Sequence, residues 1–186
     1  VRADGALADA VPTLRAVANI AVGFNNFDLP GLSERGVLAT NTAGTLDHTT
    51  AELTWALLFA AARRITESER WLRAGRWKDA WSLDGLLGRD LHGATLGIVG
   101  MGRIGRMVAA PARAFGMKVI YHNRRRLDPA LEAEAGGAAY RESLDDVLRE
   151  ADFVSLNLAY TPEAHHLIDA RRIGLMKPAA ILVNTS

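Results

Sequence analysis

The chain has 186 residues, 49% of them hydrophobic and 23% charged, with a formal net charge of +1 at pH 7. This size and composition are typical of a soluble α/β protein with one full domain and part of another. The near-neutral charge argues against a dedicated nucleic-acid or membrane surface. The longest apolar run, residues 55–62, is far short of the roughly 20 residues that cross a bilayer, and the N-terminal residues show no signal-peptide pattern. We therefore expect a cytoplasmic protein.

The sequence contains no cysteine. These residues therefore provide no disulfide framework, thiolate nucleophile or cysteine-based metal site, and we predict no metal centre. Any redox chemistry would require a bound cofactor. The chain begins at Val1 without a methionine and closes on the strand-like run "AAILVNTS", which indicates a piece of a longer protein.

The first 45 residues contain too few elements for a domain. Two short β-type runs, 16–22 and 37–40, flank a stretch rich in Gly, Asn and Pro that suits a turn and a short helix.

A long helix is predicted after these runs. Thr49 and Glu52 match a capping box, and apolar residues follow at helical spacing until the helix ends near Gly75. Both of its sides are apolar, which predicts burial on two faces, as between domains or subunits. Residues 75–93 indicate an irregular connector. We expect three tryptophans to pack this region rather than form a stacking platform: Trp71, Trp77 and Trp81.

From Thr95 onward, strand and helix patterns alternate. The predicted strands span 95–99, 117–121, 138–140, 152–158 and 180–184. The predicted helices span 103–115, 128–135 and the "LDDVLRE" run capped by Ser143, with helical turns that begin at Thr161 and Asp169. Such alternation predicts an α/β fold with a doubly wound parallel sheet.

The run "IVGMGRIG" has the Gly-x-Gly-x-x-Gly spacing of a dinucleotide-binding turn. In such a turn Gly100 would permit the tight bend, Gly102 would let the backbone approach a pyrophosphate, and Gly105 would allow close packing of helix on strand. The spacing alone is weak evidence. A glycine-rich turn without a ligand remains the alternative.

The run "VIYHNRRR" ends the next strand without the acidic residue that usually follows a dinucleotide-binding turn. Asn123 stands where an Asp or Glu would hold the ribose 2′-hydroxyl and would repel a 2′-phosphate. Arg124 and Arg125 offer planar, permanently charged donors that suit phosphate. The stretch therefore favours NADP(H) over NAD(H), although NAD(H) remains possible, and a solvated basic loop is the alternative.

These residues resemble the D-isomer-specific 2-hydroxyacid dehydrogenase family, and within it the glyoxylate/hydroxypyruvate reductases. The stretches that match are "ANIAVGFNNFD", "GVLATNTAG", "TTAELTWALLFAAARRI", "LHGATLGIVGMGRIG", "FGMKVIYHNRRR", "ADFVSLNLAYTPEAHHLI" and "LMKPAAILVNTS". They occur in family order over nearly the whole chain, a far more specific signal than the glycine spacing.

The resemblance implies a Rossmann-type nucleotide domain inserted into a flavodoxin-like substrate domain. Residues 1–45 would be part of the substrate domain, 46–92 a long interdomain helix and connector, and 93–186 an NAD(P)-binding domain that is incomplete at its C-terminus. It also implies a homodimer that packs through the helix at 51–74.

The resemblance also implies binding residues. The amides of Val22 and Gly23 would hold the substrate carboxylate. The cofactor-binding residues would be Gly100, Gly102, Arg103, Ile104, Gly105, Asn123, Arg124, Arg125, Leu158, Thr185 and Ser186.

Two departures from the family pattern stand out. Asn157, Leu158 and Ala159 replace a common His-x-Pro, which weakens the assignment of adenine-side contacts there. The family's substrate-binding arginine directly follows "NTS", and its catalytic glutamate and histidine lie farther along, so no catalytic residue is named and this chain alone is expected to be inactive. The histidines that are present are not expected to substitute: His48, His92, His122, His165 and His166.

The function implied by the resemblance is hydride transfer between NADP(H) and a small 2-oxoacid such as glyoxylate or hydroxypyruvate. Two alternatives remain: a dinucleotide-sensing, corepressor-like interaction protein, and a non-catalytic chain that ends at Ser186. The basic "NRRR" favours the enzyme, because sensing relatives lean toward NAD(H).

Overall fold

The computed structural model describes residues 2–78, 83 and 85–186. The chain divides into two compact units. The small unit comprises Val1–Asp47 and Ala159–Leu167, and the large unit comprises His48–Leu158 and Ile168–Ser186.

The small unit contains two short helices and a two-stranded parallel sheet. Its elements are α1 (Gly5–Ala10), β1 (Ala16–Ala18), α2 (Leu29–Ser33), β2 (Leu38–Thr40) and a 3₁₀ turn at Pro162–Ala164. Asp4 and Asp28 cap the two α-helices by accepting hydrogen bonds from backbone amides of the first turns. The core is small and consists of Ala3, Ala8, Leu32 and Val37.

The first strand is shorter than the predicted run 16–22. After Ala18 the amide of Asn19 still donates to Thr40, but the Asn19 side chain then donates to the carbonyl of Gly23 at 2.6 Å. This side-chain bond closes residues 19–23 into a tight loop, so the strand ends at Ala18. Helix α1 was not predicted.

A five-stranded parallel sheet forms the centre of the large unit. Its strands are β3 (Thr95–Val99), β4 (Lys118–His122), β5 (Ala139–Tyr140), β6 (Phe153–Leu156) and β7 (Ile181–Asn184), in the order β5-β4-β3-β6-β7. The predicted α/β fold with a parallel sheet is confirmed. The strand order reverses between β3 and β6, and ligands of such sheets bind at the carboxyl ends of the strands near that reversal.

The large unit also contains helices. They are α3 (Asp47–Ala62), α4 (Ile65–Arg73), α5 (Arg103–Ala109) with a 3₁₀ continuation at Ala110–Phe115, α6 (Pro129–Glu134), α7 (Leu144–Glu150) and α8 (Ala170–Ile173). Ser143 caps α7 as predicted. Tyr121 and Phe153 are fully buried in the core, and the buried Trp55 indole donates to the Val108 carbonyl at 3.0 Å.

The prediction of one long helix from the capping box to Gly75 is wrong. The helix begins at Asp47, so Thr49 lies in its first turn, and it breaks at Arg64, whose backbone is left-handed with φ +53°. At the break the amide of Arg89, on the connector, donates to the carbonyl of Ala62 at 2.7 Å, so this carbonyl at the end of the helix is satisfied from outside it. The second helix does end before Gly75, which has φ +64°.

Within the described residues, only one side of α3 is buried. Ala51, Trp55 and Leu58 lie in the core, whereas Leu53 and Leu57 on the other side are 53% and 40% exposed. Burial of this second side stays a prediction that requires a partner.

The tryptophan assignments are only partly tested. Trp71 and Trp77 are 36% and 57% exposed, so they are not core residues of the chain. Trp81 and part of the predicted connector lie outside the described residues. Among the residues described, no helix combines the length and apolarity needed to cross a bilayer.

Candidate functional site

The predicted cofactor-binding residues of the large unit lie at the carboxyl edge of its sheet. The glycine-rich turn follows β3, Asn123 follows β4, Leu158 follows β6, and Ser186 follows β7. Because these strands are parallel, their carboxyl ends share one edge of the sheet. The fold therefore gathers residues that are far apart in sequence at the place where such sheets bind ligands.

The three glycines of the turn differ in whether the surrounding protein leaves room for a Cβ. Gly100 has φ +94°, and a Cβ on it would collide with the carbonyl of Asn157. A Cβ on Gly105 would collide with the carbonyl oxygen of Gly100 and would lie 3.3 Å from Ile98. A Cβ on Gly102 would have no atom within 4 Å. The protein's own packing thus requires Gly100 and Gly105 but not Gly102.

Helix α5 begins directly after Gly102, and no side chain caps its first turn. Residues Arg103, Ile104 and Gly105 form that turn. The first amides of a helix have no partner within the helix, and their orientation suits an anion.

Asn123 joins this turn to the end of β4. Its Oδ1 accepts a hydrogen bond from the backbone amide of Met101 at 2.7 Å, and its carbonyl accepts one from the Tyr140 hydroxyl at 3.2 Å. A carboxylate at position 123 would accept the Met101 hydrogen bond equally well. The hydrogen bond therefore does not explain why this residue is neutral.

The three consecutive arginines occupy different environments. Arg124 and Arg125 are exposed, and within the described part of the chain neither forms an ion pair or a side-chain hydrogen bond. Arg126 instead donates from Nε and from Nη2 to the two carboxylate oxygens of Glu132, both at 2.9 Å. Two cationic side chains are thus left available next to a neutral Asn123.

Two hydroxyl side chains, those of Thr185 and Ser186, form hydrogen-bond contacts where β6 and β7 end. The Ser186 hydroxyl accepts from the amide of Leu158 at 2.9 Å and donates to the carbonyl of Leu156 at 3.1 Å. The hydroxyl of Thr185 lies 2.9 Å from that of Thr54 on α3. The Ser186 bonds hold the carboxyl ends of β6 and β7 side by side, and the Thr185 contact joins the end of β7 to α3.

In the small unit, Val22 and Gly23 lie on the loop after β1. The Asn41 side chain donates to the Val22 carbonyl at 2.8 Å, and the Asn19 side chain donates to the Gly23 carbonyl. Over the described ranges, neither the amide of Val22 nor that of Gly23 donates to a protein acceptor. A Cβ on Gly23 would lie 3.6 Å from its nearest neighbour, Asn25, which is ordinary contact. The loop thus offers two amides to a ligand.

In the part of the chain that the structure describes, the histidines do not form an acid–base site with a carboxylate. His165 and His166 are exposed, with their ring centroids 3.8 Å apart and their planes tilted by 32°, and His122 Nδ1 lies 3.0 Å from the carbonyl of Arg141. Within the same ranges, no group of three or more His, Cys, Asp or Glu residues could hold a metal ion.

Sequence reasoning missed the side chains that support the arginines. Tyr121 is fully buried, and its hydroxyl donates to Glu132 at 2.6 Å and accepts from the amide of Leu127 at 2.9 Å. The Asp128-Pro129 pair was a usable signal. It marks a helix start, which places Glu132 in the first turn, close behind the arginines.

Comparisons with known proteins agree with this geometry. Residues 55–186 match the sequence profile of "D-isomer specific 2-hydroxyacid dehydrogenase, NAD binding domain". The chain is 49% identical to the glyoxylate reductase of Aeropyrum pernix, covering 99% of this chain and 55% of that protein. It is 47% identical to the glyoxylate reductase of Thermococcus kodakarensis, covering 98% and 55%.

Two solved structures are also similar. The TT0316 protein of Thermus thermophilus matches with a TM-score of 0.91 and 44% identity, over 100% of this chain and 57% of that one. The D-lactate dehydrogenase of Aquifex aeolicus, solved with NAD and lactic acid, matches with a TM-score of 0.87 and 32% identity, over 100% and 54%. The chain spans about half the length of the curated relatives it matches.

Proposed function

Because the chain belongs to the D-isomer specific 2-hydroxyacid dehydrogenase family, we propose that it forms part of a reductase that transfers a hydride between NADP(H) and a small 2-oxo or 2-hydroxy acid. The observation that carries this proposal is the edge of the large-unit sheet, where an uncapped helix start and two unpaired arginines of the described chain adjoin a neutral Asn123. A bound nicotinamide dinucleotide would supply the hydride.

The residues of the large unit fit such a cofactor. Gly102 leaves space where a Cβ would stand, so a pyrophosphate can approach the backbone from Gly102 to Gly105. Leu158, Thr185 and Ser186 lie along the same edge and would line the rest of the groove.

The preference for NADP(H) rests on charge. A carboxylate at the end of β4 would repel a 2′-phosphate, whereas Asn123 does not, and Arg124 and Arg125 can donate to it. NAD(H) would lose these interactions but would keep those of the pyrophosphate. We therefore propose NADP(H) as the preferred cofactor and NAD(H) as a weaker one.

The substrate proposal rests on the loop of the small unit. The carbonyls of Val22 and Gly23 are held by asparagine side chains while their amides remain available, which suits a substrate carboxylate. Two relatives reported above are named for glyoxylate and one is bound to lactic acid, and both compounds carry this group. We propose glyoxylate or hydroxypyruvate as the substrate.

Catalysis would also need groups that this chain does not provide. The family resemblance places a carbonyl-polarising arginine after Ser186 and a glutamate–histidine pair farther on. We expect these 186 residues alone to bind the dinucleotide without reducing a 2-oxoacid. We further propose a cytoplasmic homodimer in which the exposed Leu53 and Leu57 side of α3 is buried.

Binding of the two cofactors to the purified protein tests the proposal. By calorimetric titration, NADPH should bind at least about tenfold more tightly than NADH, or about 1.4 kcal/mol. Asn123→Asp keeps an acceptor for the Met101 amide, so it should preserve the fold and reduce this preference. Equal affinities in the unmodified protein would reject the NADP(H) preference, and the absence of any dinucleotide binding would reject the proposed function.

A further inference from the structure

The segment that carries the arginines, residues 123–127, is fixed at both ends; we call it the arginine loop. At its start, Asn123 binds the amide of Met101 and the hydroxyl of Tyr140. At its end, the amide of Leu127 donates to the hydroxyl of Tyr121 at 2.9 Å. Three residues lie between these anchors.

The third arginine, Arg126, pairs with Glu132, which also binds the hydroxyl of Tyr121. Both oxygens of Glu132 accept from Arg126, and Oε1 also accepts from the buried Tyr121 hydroxyl at 2.6 Å. Glu132 is only 8% exposed. Hydrogen bonds from Arg126 and then from Tyr121 lower the pKa of Glu132 to about 2, so the carboxylate remains ionised near neutral pH. The Nε and Nη2 donors of Arg126 are thus engaged in a doubly hydrogen-bonded ion pair.

We infer that Tyr121, Arg126 and Glu132 are positioning residues for cofactor selectivity: they hold the arginine loop so that Arg124 and Arg125 meet the 2′-phosphate, while Arg126 does not touch it. This inference rests on the proposed NADP(H) function. It assigns opposite roles to side chains that are adjacent and chemically identical in the sequence.

Two physical effects support the assignment. A loop that is already fixed loses little conformational entropy when its arginines close on a phosphate. The ion pair also neutralises Glu132, which without Arg126 would be an uncompensated carboxylate able to compete with the phosphate for a neighbouring arginine. Both effects act on a 2′-phosphate and not on the 2′-hydroxyl of NADH.

Two substitutions distinguish positioning from direct contact. Glu132→Gln removes the charge that holds Arg126: if Arg126 were a phosphate ligand, this change would release it and strengthen NADPH binding. Arg126→Lys keeps a positive charge that can still attract a phosphate as a point charge, but it loses the bidentate pairing with Glu132. The positioning role predicts weaker NADPH binding in both variants. Glu134→Gln is a matched control, because it makes the same charge change at an exposed site of the same helix.

The measurement is the ratio of NADH to NADPH dissociation constants by calorimetry on the purified protein, with the melting temperature of each variant recorded. We expect Glu132→Gln and Arg126→Lys each to lower this ratio about threefold or more, with NADH affinity changed by less than about twofold and Glu134→Gln unchanged. Tyr121→Phe, which keeps the ring, should lower the ratio in the same direction.

The outcomes separate the two proposals. Unmodified protein without NADPH preference would reject both the NADP(H) assignment and this inference. A normal preference that survives in Glu132→Gln and Arg126→Lys, or a tighter NADPH complex in Glu132→Gln, would reject only the positioning role. Equal losses of NADPH and NADH affinity would mean that these residues support the fold alone, and would also reject it.

Discussion

The two candidate binding loops achieve the same kind of surface by different means. The turn after β3 is shaped by glycines that the surrounding backbone requires, since Gly100 and Gly105 have no room for a Cβ. The loop after β1 is shaped by asparagine side chains that hold carbonyls, and its Gly23 has ordinary space around it. The glycines of the first loop are therefore required by packing within the protein, whereas Gly23 in the second loop is not and points instead to a ligand.

Gly100→Ala should produce the largest effect, because it adds a Cβ at φ +94° that would lie 2.9 Å from the Asn157 carbonyl carbon. Strain and overpacking together should lower the free energy of unfolding by on the order of 3 kcal/mol. Gly102→Ala is the control, because its Cβ meets no atom and its melting temperature should stay the same. Equal melting temperatures for the two variants would contradict the distinction drawn between these glycines.

The double variant Arg124→Ala, Arg125→Ala should remove the NADPH preference, because these side chains are exposed and hold no other part of the described chain. The expected loss of NADPH affinity is at least about tenfold, with little change in NADH affinity or melting temperature. Calorimetric titration with both dinucleotides measures it. An unchanged preference would show that the side chains of the arginine loop are only solvated and do not bind the phosphate.

Gly23→Val should act on the substrate and not on the fold, in contrast to Gly100→Ala. Bulk at this position should displace a carboxylate from the two amides and raise KM for glyoxylate about fivefold, the cost of one weakened hydrogen bond of about 1 kcal/mol. KM would be measured in a form of the enzyme that has reductase activity, beside Gly23→Ala as a smaller change. If KM stays constant while the melting temperature falls, Gly23 is a turn residue only.

The smallest effect concerns acid stability around Glu132. Its pKa is about 2 in the folded protein and ordinarily 4.5, because Arg126 and Tyr121 bind the charged form. This ionised form stabilises the fold above about pH 4.5, and the contribution is lost as the pH falls toward 2. Glu132→Gln should therefore flatten the fall of Tm in this range. Asp145, whose pKa Arg171 and Arg172 also lower to about 2, should preserve part of the slope.

Glu134→Gln provides the reference for that measurement, because its carboxylate is exposed on the same helix. It should retain the steepness of the unmodified protein. A Glu132→Gln variant that loses Tm as steeply as Glu134→Gln would mean that the ion pair contributes nothing to acid stability.

Local patterns predicted most of the large unit, because its strands and caps depend on neighbouring residues. The alternating runs after Thr95 gave all five strands, and Ser143 capped its helix as the sequence indicated. The break at Arg64 was not predictable in this way. It coincides with a contact from Arg89, which is remote in sequence and donates to the carbonyl at the end of α3.

The contacts that each arginine side chain makes could not be predicted from the sequence either. Nothing in three consecutive arginines distinguishes Arg126 from Arg124, because the distinction depends on a buried tyrosine and on a helix that turns Glu132 back toward the loop. The sequence predicted which residues reach the sheet edge, whereas the fold decides which of them remain available to a ligand.

The burial of Trp55, whose indole donates to the Val108 carbonyl, has a consequence for tryptophan fluorescence. Trp55 is 8% exposed and in contact with Phe59 and Phe115, whereas Trp71 and Trp77 are 36% and 57% exposed. Its fluorescence should be blue-shifted and resistant to acrylamide, whereas the exposed Trp77 should emit at longer wavelength and be quenched readily. Loss of the protected component would signal collapse of the large-unit core, so the protein carries an internal reporter that separates a disrupted fold from an altered loop in every variant above.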